Sequence, residues 1–201
     1  MPNQPDSLSS HPFGYPAAQT HDPGSFEYGG FWARLLAHLL DTLMMLPFIG
    51  LTFYTMTLTR LATLYFFLPN LLIGIFFHVW LVKKYGGTPG KLIMKLRIVR
   101  CDGMPVGYKE ACLRYSVLLV LSTVAVFAGV LGALNTPDQI YLSAGWLQKV
   151  ALPSQYAPAW YSPMNVLLNI WVWGEFLVMM TNRKRRAPHD FIAGTVVIVK
   201  P

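Results

Sequence analysis

The chain has 201 residues, of which 54% are hydrophobic and 12% are charged. A soluble domain carries about 25% charged residues, so this composition excludes an ordinary soluble domain and indicates a membrane protein. The net charge of +7 is compatible with a nucleic-acid partner, but the distribution of the basic residues gives it another explanation, and we expect no nucleic acid.

Residues 1–30 contain no Lys or Arg and five Pro, together with several Gly and Ser. Such a segment cannot bury enough apolar surface to offset the entropy of ordering. We therefore predict a disordered cytoplasmic tail over residues 1–30, followed by one transmembrane domain over residues 31–201.

Four long apolar stretches follow the tail, and each is near the ~20 residues that a helix needs to cross a ~30 Å hydrocarbon core. A helix satisfies its own backbone hydrogen bonds, which lipid cannot do. The sequence therefore predicts an all-α membrane protein with four transmembrane helices, at about residues 31–55, 61–82, 115–134 and 164–181.

The first of these stretches carries ionisable residues on one face. Arg34 and Asp41 are seven residues apart, so they lie on nearly the same side of a helix, about 10.5 Å apart along its axis, with His38 between them. An ionised group at the centre of a membrane helix costs roughly 2.5–3.5 kcal/mol on insertion scales. We infer that these groups have a role, either in joining helices or in handling a polar cargo.

The basic residues are concentrated on one side of the predicted spans. Eight Lys or Arg lie between spans two and three and five follow span four, whereas the other two connections hold one each. This asymmetry predicts that both termini are cytoplasmic. The basic segments are also expected to attract anionic lipid head groups, although charge that serves topology alone is the simpler explanation.

Two short β-prone runs lie on this predicted cytoplasmic side. One is Arg97-Ile-Val-Arg100, which follows the turn cluster Gly86-Gly-Thr-Pro-Gly90 and a single amphipathic turn at Lys91–Leu96. The other is the run Gly194-Thr-Val-Val-Ile-Val-Lys200 at the end of the chain. Unpaired strand edges seldom persist, so we predict that the two runs pair as a small cytoplasmic β-ribbon.

The connection between spans three and four lies on the opposite side of the membrane by this topology. It is rich in Tyr and Trp, which suits the head-group layer. Residues 139–151 are compatible with an interfacial helix, and an ordinary loop that shields the bundle is the alternative.

The sequence contains no pattern that indicates an enzyme. The segment Gly87-Thr-Pro-Gly-Lys91 does not match a phosphate-binding loop, because Tyr85 and Leu92 stand where that motif requires Gly and Ser or Thr. Cys101 and Cys112 lack metal-ligand spacing. We expect no catalytic residue, no metal and no cofactor.

Three separated segments carry a family resemblance. The first joins aromatic residues to an arginine, an alanine and an aspartate, the second joins a Gly-Thr-Gly-Lys turn to a strand, Asp-Gly and an arginine, and the third joins His-Asp to Ala-Gly-Thr-x-Val. Here they are Phe31-Trp32 with Arg34, Ala37 and Asp41; Gly86–Lys91 with Asp102-Gly103 and Arg114; and His189-Asp190 with Ala193–Val197.

Together these segments resemble the RDD family of bacterial inner-membrane proteins, which is named for one arginine and two aspartates. The resemblance covers residues 31–199 and keeps the order of the three parts. It implies a multi-span bundle in the bacterial inner membrane, with Arg34, Asp41 and Asp190 as signature residues. Transport, including cation/proton exchange, has been suggested for the family.

The predicted topology suggests partners for the signature residues. Asp190 follows span four on the side where Arg34 begins span one, so we predict that Arg34 and Asp190 form an ion pair. Glu175 lies about 12 Å before the basic run that follows span four, close in depth to His38 and Asp41. We therefore predict an intramembrane cluster of Asp41, His38 and Glu175 that binds a cation or proton, with simple helix packing as the alternative.

The sequence thus favours a transport protein for a small solute, or an exchanger of cations for protons. Four helices are few for a transport path, so this function implies a homo-oligomer. The alternative is a non-transporting scaffold or assembly partner, in which the intramembrane charges serve packing only.

Overall fold

A computed structural model of the protein describes residues 27–200. Four helical stretches in this part of the chain are long and apolar enough to cross a membrane. They are Phe31–Leu58, Ala62–Ile93, Tyr108–Asn135 and Tyr161–Thr181. The prediction of four transmembrane helices is confirmed, whereas residues 1–26 of the predicted tail lie outside the described residues.

The first two spans form a hairpin. Helix α1 (Phe31–Leu58) runs away from the predicted cytoplasmic side, and α2 (Ala62–Ile75) returns. The second span then continues through a π-helical segment, Phe76–Trp80, into α3 (Leu81–Tyr85). A π turn inserts an extra residue and changes the direction of the side chains that follow it.

One short helix ends the second helical stretch, and another follows the fourth span. Helix α4 (Pro89–Ile93) covers much of the predicted amphipathic turn. Helix α9 (Pro188–Ala193) is similarly short, and both helices begin with proline. Proline suits the first helical turn, where its missing N–H has no intrahelical acceptor. Gly86, with a φ of 79°, ends α3, and Gly194, with a φ of 64°, ends α9.

The predicted β-ribbon is confirmed. Strand β1 (Leu96–Arg100) pairs antiparallel with β2 (Thr195–Val199), and Ile98 lies opposite Val197. Both of these residues are buried. The ribbon therefore packs its apolar face against the helices, which a two-stranded ribbon needs in order to be stable.

The residues just before α1 pair with the other edge of β2. Tyr28 forms an isolated bridge with Ile198, and the Gly29 N–H donates to the Val197 carbonyl at 3.0 Å. The pairing begins within the last residues of the segment predicted as a tail. The beginning, middle and end of the described chain therefore meet at one place.

The remaining helices are the third and fourth spans and the two short helices that connect them. Helix α5 (Tyr108–Asn135) is followed by α6 (Asp138–Ser143), α7 (Trp146–Gln155) and α8 (Tyr161–Thr181). The segment 139–151, for which a helix and a loop were both open, is divided between α6 and α7. A Cβ on Gly132 of α5 would overlap the Pro153 carbonyl of α7, so glycine permits their close contact.

The main core lies where the helices meet the ribbon, at the end of the bundle formed by β1, β2, α4 and α9, here called the ribbon end. It includes Ala37, Val82, Leu96, Ile98 and Val197. Along the spans, by contrast, large apolar side chains are exposed, as is expected for helices that contact lipid. The protein is thus most tightly packed at one end, and this end carries the signature residues.

Candidate functional site

The ribbon end contains a buried carboxylate between two arginines. Asp190 is 0% exposed, and its oxygens lie 3.3 Å from Arg34 Nη1 and in direct contact with Arg114 Nη1. The predicted Arg34–Asp190 pair is therefore present, and Arg114 is a second partner. The three residues come from α9, α1 and α5, so one carboxylate joins three helices.

Two further donors complete the environment of Asp190. The Ala187 N–H donates to Oδ2 at 3.0 Å, and the Thr195 hydroxyl donates to Oδ1 at 3.0 Å. Burial raises the pKa of Asp190, but the positive charges of Arg114, His189 and Arg34 outweigh burial and hold this pKa well below its ordinary value. The carboxylate is therefore ionised at neutral pH.

Arg34 is fully engaged in this network. Its Nε donates to the Gly29 carbonyl at 3.2 Å, and its Nη2 donates to the Val197 carbonyl at 3.4 Å. These contacts tie the start of α1 to the ribbon as well as to Asp190. Each of the three guanidinium nitrogens thus donates to a partner within the protein.

Asp41 has a different environment, on the inner face of α1. Its Oδ2 accepts a 2.6 Å hydrogen bond from the Thr88 hydroxyl, and its Oδ1 accepts a 2.7 Å hydrogen bond from the Gly90 N–H. Thr88 precedes α4 and makes no capping bond to it, so Asp41 supplies the cap from another helix. This explains the spacing of Thr and Gly in the second signature segment.

The contact between α4 and α1 is close enough to require glycine. A Cβ on Gly90 would overlap the Ala37 carbonyl oxygen. Because Asp41 and Gly90 fix α4 in this position, the next residue of α4, Lys91, faces into the bundle.

Glu175 pairs with a residue that the sequence did not assign to it. His189 Nδ1 lies 2.6 Å from Glu175 Oε1, and His189 Nε2 lies 3.8 Å from Asp190 Oδ1. Burial and the charge of Arg114 lower the pKa of His189, although the hydrogen bond to Glu175 opposes them. The imidazole thus lies between the buried network and the fourth span.

A cavity of about 470 Å³ lies inside the bundle next to these groups. Its charged lining residues are Arg34, Asp41, Lys91, Arg114 and Glu175. Its histidines are His38, His78 and His189. A volume of this size falls in the range of small-molecule pockets, roughly 300–1,000 Å³.

The cavity changes character along the spans. Its charged residues lie at the ribbon end, whereas its deeper part is lined mainly by apolar side chains such as Ile49, Phe67 and Val126, with Asn70 among them. From Arg34 to Ile49 the lining covers about 22 Å of helix α1 at 1.5 Å per residue. The cavity therefore has a charged region and a mainly apolar region.

The structure brings the three residues of the predicted ion cluster to one cavity but does not join them. Asp41, His38 and Glu175 all line it. Within residues 27–200 none of the three side chains hydrogen bonds to another: Asp41 bonds to α4, Glu175 bonds to His189, and the His38 ring lies 6.1 Å from that of Phe176.

Sequence reasoning missed four contributors to this site. Arg114, His189 and Thr88 were noted as parts of the signature segments but were given no partners. The sequence carried no signal for the partner of Thr88, because a threonine before proline also fits the cap of its own helix. Lys91 was assigned to a membrane-surface turn, and its position at the cavity depends on the contact between α4 and α1.

The comparison with protein families agrees with the residues of this site. The sequence model described as the RDD family matches residues 28–194. This range includes the arginine and both aspartates whose contacts are given above. No curated protein and no solved structure matches the chain.

Proposed function

The chain belongs to the RDD family of membrane proteins, and on this premise we propose that it transports a small solute through the cavity in its bundle. One observation carries the proposal. The cavity lining extends over about 22 Å of α1, a large part of a ~30 Å hydrocarbon core. A helix bundle that only needed to pack would not keep charged side chains around an internal volume of this size.

The proposed orientation has the ribbon end in the cytoplasm of a bacterial inner membrane. The basic residues near α3, α4 and β1 support it through the asymmetry of charge. They are proposed to contact anionic head groups. A homo-oligomer is also proposed, because four helices are few for a transport path.

The path is tested by cysteine accessibility. Ser122 lines the cavity on α5. In a background with Cys101→Ser and Cys112→Ser, the change Ser122→Cys is expected to react with a water-soluble maleimide that does not cross membranes, applied from either side. A cysteine at Val120, which is 60% exposed on the same helix, is the control that faces lipid and is expected to stay unlabelled. Labelling at Ser122 from neither side would contradict a solute path.

Cation/proton exchange is an alternative form of this proposal. Asp41 and Glu175 are the acidic groups at the cavity, and intramembrane carboxylates are candidates for proton binding. We expect Asp41→Asn to insert normally and to lose pH-dependent Na⁺, K⁺ or Li⁺ flux in proteoliposomes. Asp102→Asn, which changes an exposed carboxylate outside the cavity, is the control expected to retain it.

A non-transporting scaffold remains the second candidate because of one observation. Both oxygens of Asp41 are hydrogen-bonded within the chain, so this residue has a complete packing role without any ligand. Absence of flux in the parent across all three cation gradients, together with an inaccessible Ser122, would favour the scaffold.

A further inference from the structure

We propose that the ribbon end of the cavity binds the anionic group of an organic anion, a phosphate or carboxylate, whose apolar part lies along the deeper lining. This inference rests on the proposed function, because it names the class of solute that the same cavity takes. It follows from which charged groups in the cavity already have partners and which do not.

Most of the carboxylate oxygens around the cavity have donors. Both oxygens of Asp41 accept hydrogen bonds, from Thr88 and Gly90, and Glu175 Oε1 is paired with His189. A metal cation or ammonium group that bound Asp41 would have to displace its donors. Asp190 is 0% exposed and already accepts from two arginines, so it offers no free oxygen to the cavity.

The cationic groups, by contrast, have donors to spare. Within the described residues, Lys91 makes no hydrogen bond and no ion pair, although it is half-buried in a cavity wall. Arg114 uses only its Nη1 atom, which donates to Asp190 and Thr195. Its Nε and Nη2 atoms have no acceptor in that part of the chain. Both residues line the cavity, so these donors are available to an acceptor that binds in it.

The free donors belong to residues of one cavity. Lys91 and Arg114 both line it and both carry positive charge, and His78 lines it as well. An anion between Lys91 and Arg114 would relieve their mutual repulsion and accept charge-assisted hydrogen bonds from both, which are about twice as strong as neutral ones.

The rest of the cavity suggests what the anion is attached to. Beyond the charged groups the wall is mainly apolar, with side chains such as Ile49, Phe67 and Val126, and it also includes Asn70 and Ser122. An inorganic ion would leave this mainly apolar volume unfilled. An anionic head with an apolar body of several carbons complements both regions.

The test measures equilibrium binding of octyl phosphate to the full chain in phosphatidylcholine nanodiscs. We expect saturable binding by the parent, and much weaker binding of inorganic phosphate and of octyltrimethylammonium, the matched cation. Equal binding of the cationic and anionic amphiphiles would overturn the proposal, because the cavity would then recognise only the alkyl chain.

Variants of Lys91 assign the site. Lys91→Gln is expected to weaken octyl phosphate binding at least about 10-fold, since a hydrogen bond to a charged group contributes of that order. Lys91→Arg keeps the charge and is expected to bind within a few-fold of the parent. Lys109→Gln removes an exposed positive charge outside the cavity lining and is expected to bind like the parent. Unchanged binding in Lys91→Gln would overturn the assignment.

Two further arms separate the source of the anion and the two proposals. Competition by phosphatidic acid included in the nanodisc would identify a lipid head group as the anion, whereas its absence would leave a water-soluble organic anion, and both agree with the proposal. Octyl phosphate binding in a protein with an inaccessible Ser122 would remove transport but keep the anion site. Accessibility at Ser122 without octyl phosphate binding would keep transport but remove the anion site.

Discussion

The buried network around Asp190 and the cavity wall around Lys91 both hold charged residues at the ribbon end of the bundle. They differ in whether the charged group has hydrogen-bond partners. Asp190 has four donors and 0% exposure, whereas Lys91 has no acceptor within residues 27–200. The Asp190 region, here called the closed region, has the pairing that a buried charge needs in a structural network. The Lys91 region, here called the open region, has the features of a binding surface. Residues of the family signature lie in both regions.

The largest expected effect on stability comes from a change that breaks the Asp190 network. Asp190→Ala leaves Arg34 and Arg114 buried without their carboxylate, which should cost about 3–5 kcal/mol and strongly lower the folded yield in membranes. Arg34→Ala is expected to act in the same direction, and the double variant should be less than additive. Thermal unfolding in nonionic detergent measures the effect.

Asp102→Ala is the matched control for this change. Its ion pair with Arg100 is about half exposed, so its loss should cost at most about 1 kcal/mol. If the Asp190→Ala and Asp102→Ala variants unfolded at the same temperature, the Asp190 network would not be needed for the stability of the fold.

A smaller effect on stability is expected at the contact between α4 and α1, which positions Lys91. Gly90→Ala places a methyl group against the Ala37 carbonyl, and overpacking of this kind costs about 1–3 kcal/mol. Gly87→Ala, whose Cβ would make ordinary contacts at 3.4 Å or more, should stay near the parent. Equal unfolding midpoints for the two variants would show that the contact between α4 and α1 yields easily.

His189 lies between the two regions and predicts a dependence on pH. Its pKa is lowered in the folded protein, so below its ordinary value of 6.5 the unfolded chain binds a proton that the folded protein binds less readily. Its contribution to stability is therefore present above about pH 6.5 and lost on acidification. Asp190 stays ionised in this range and does not add to the effect.

The change is measured by unfolding midpoints at pH 7.5 and pH 5.5. The parent is expected to lose stability at the lower pH, and His189→Gln should show a smaller loss. A variant with the same pH dependence as the parent would assign the titration to another group.

The smallest effect on stability is expected from labelling variants that locate both regions in the cell. With the two native cysteines replaced by serine, a cysteine at Lys184 should react only from the cytoplasm and one at Ser154 only from outside. External labelling at position 184 would refute the proposed orientation of the ribbon end.

Local patterns predicted the spans and the ribbon because apolar length and β-propensity are properties of short segments. The Arg34–Asp190 pair was also predictable, since topology alone brings both residues to one side. The hydrogen bonds from Thr88 and Gly90 to Asp41 were not, because they depend on how α1 is rotated and on where α4 returns to it. The same limit applies to Lys91, whose direction is decided by those bonds.

The pairing of residues 27–29 with β2 has a consequence for biogenesis. Arg34 enters the membrane 156 residues before Asp190 is synthesised, an interval of roughly 8–30 s at about 5–20 residues per second. Throughout this interval the arginine lacks its final counter-ion, and the strand that completes the sheet does not yet exist. The nascent chain must therefore hold the charged start of α1 without its partners, and this end of the bundle is complete only after β2 has been synthesised.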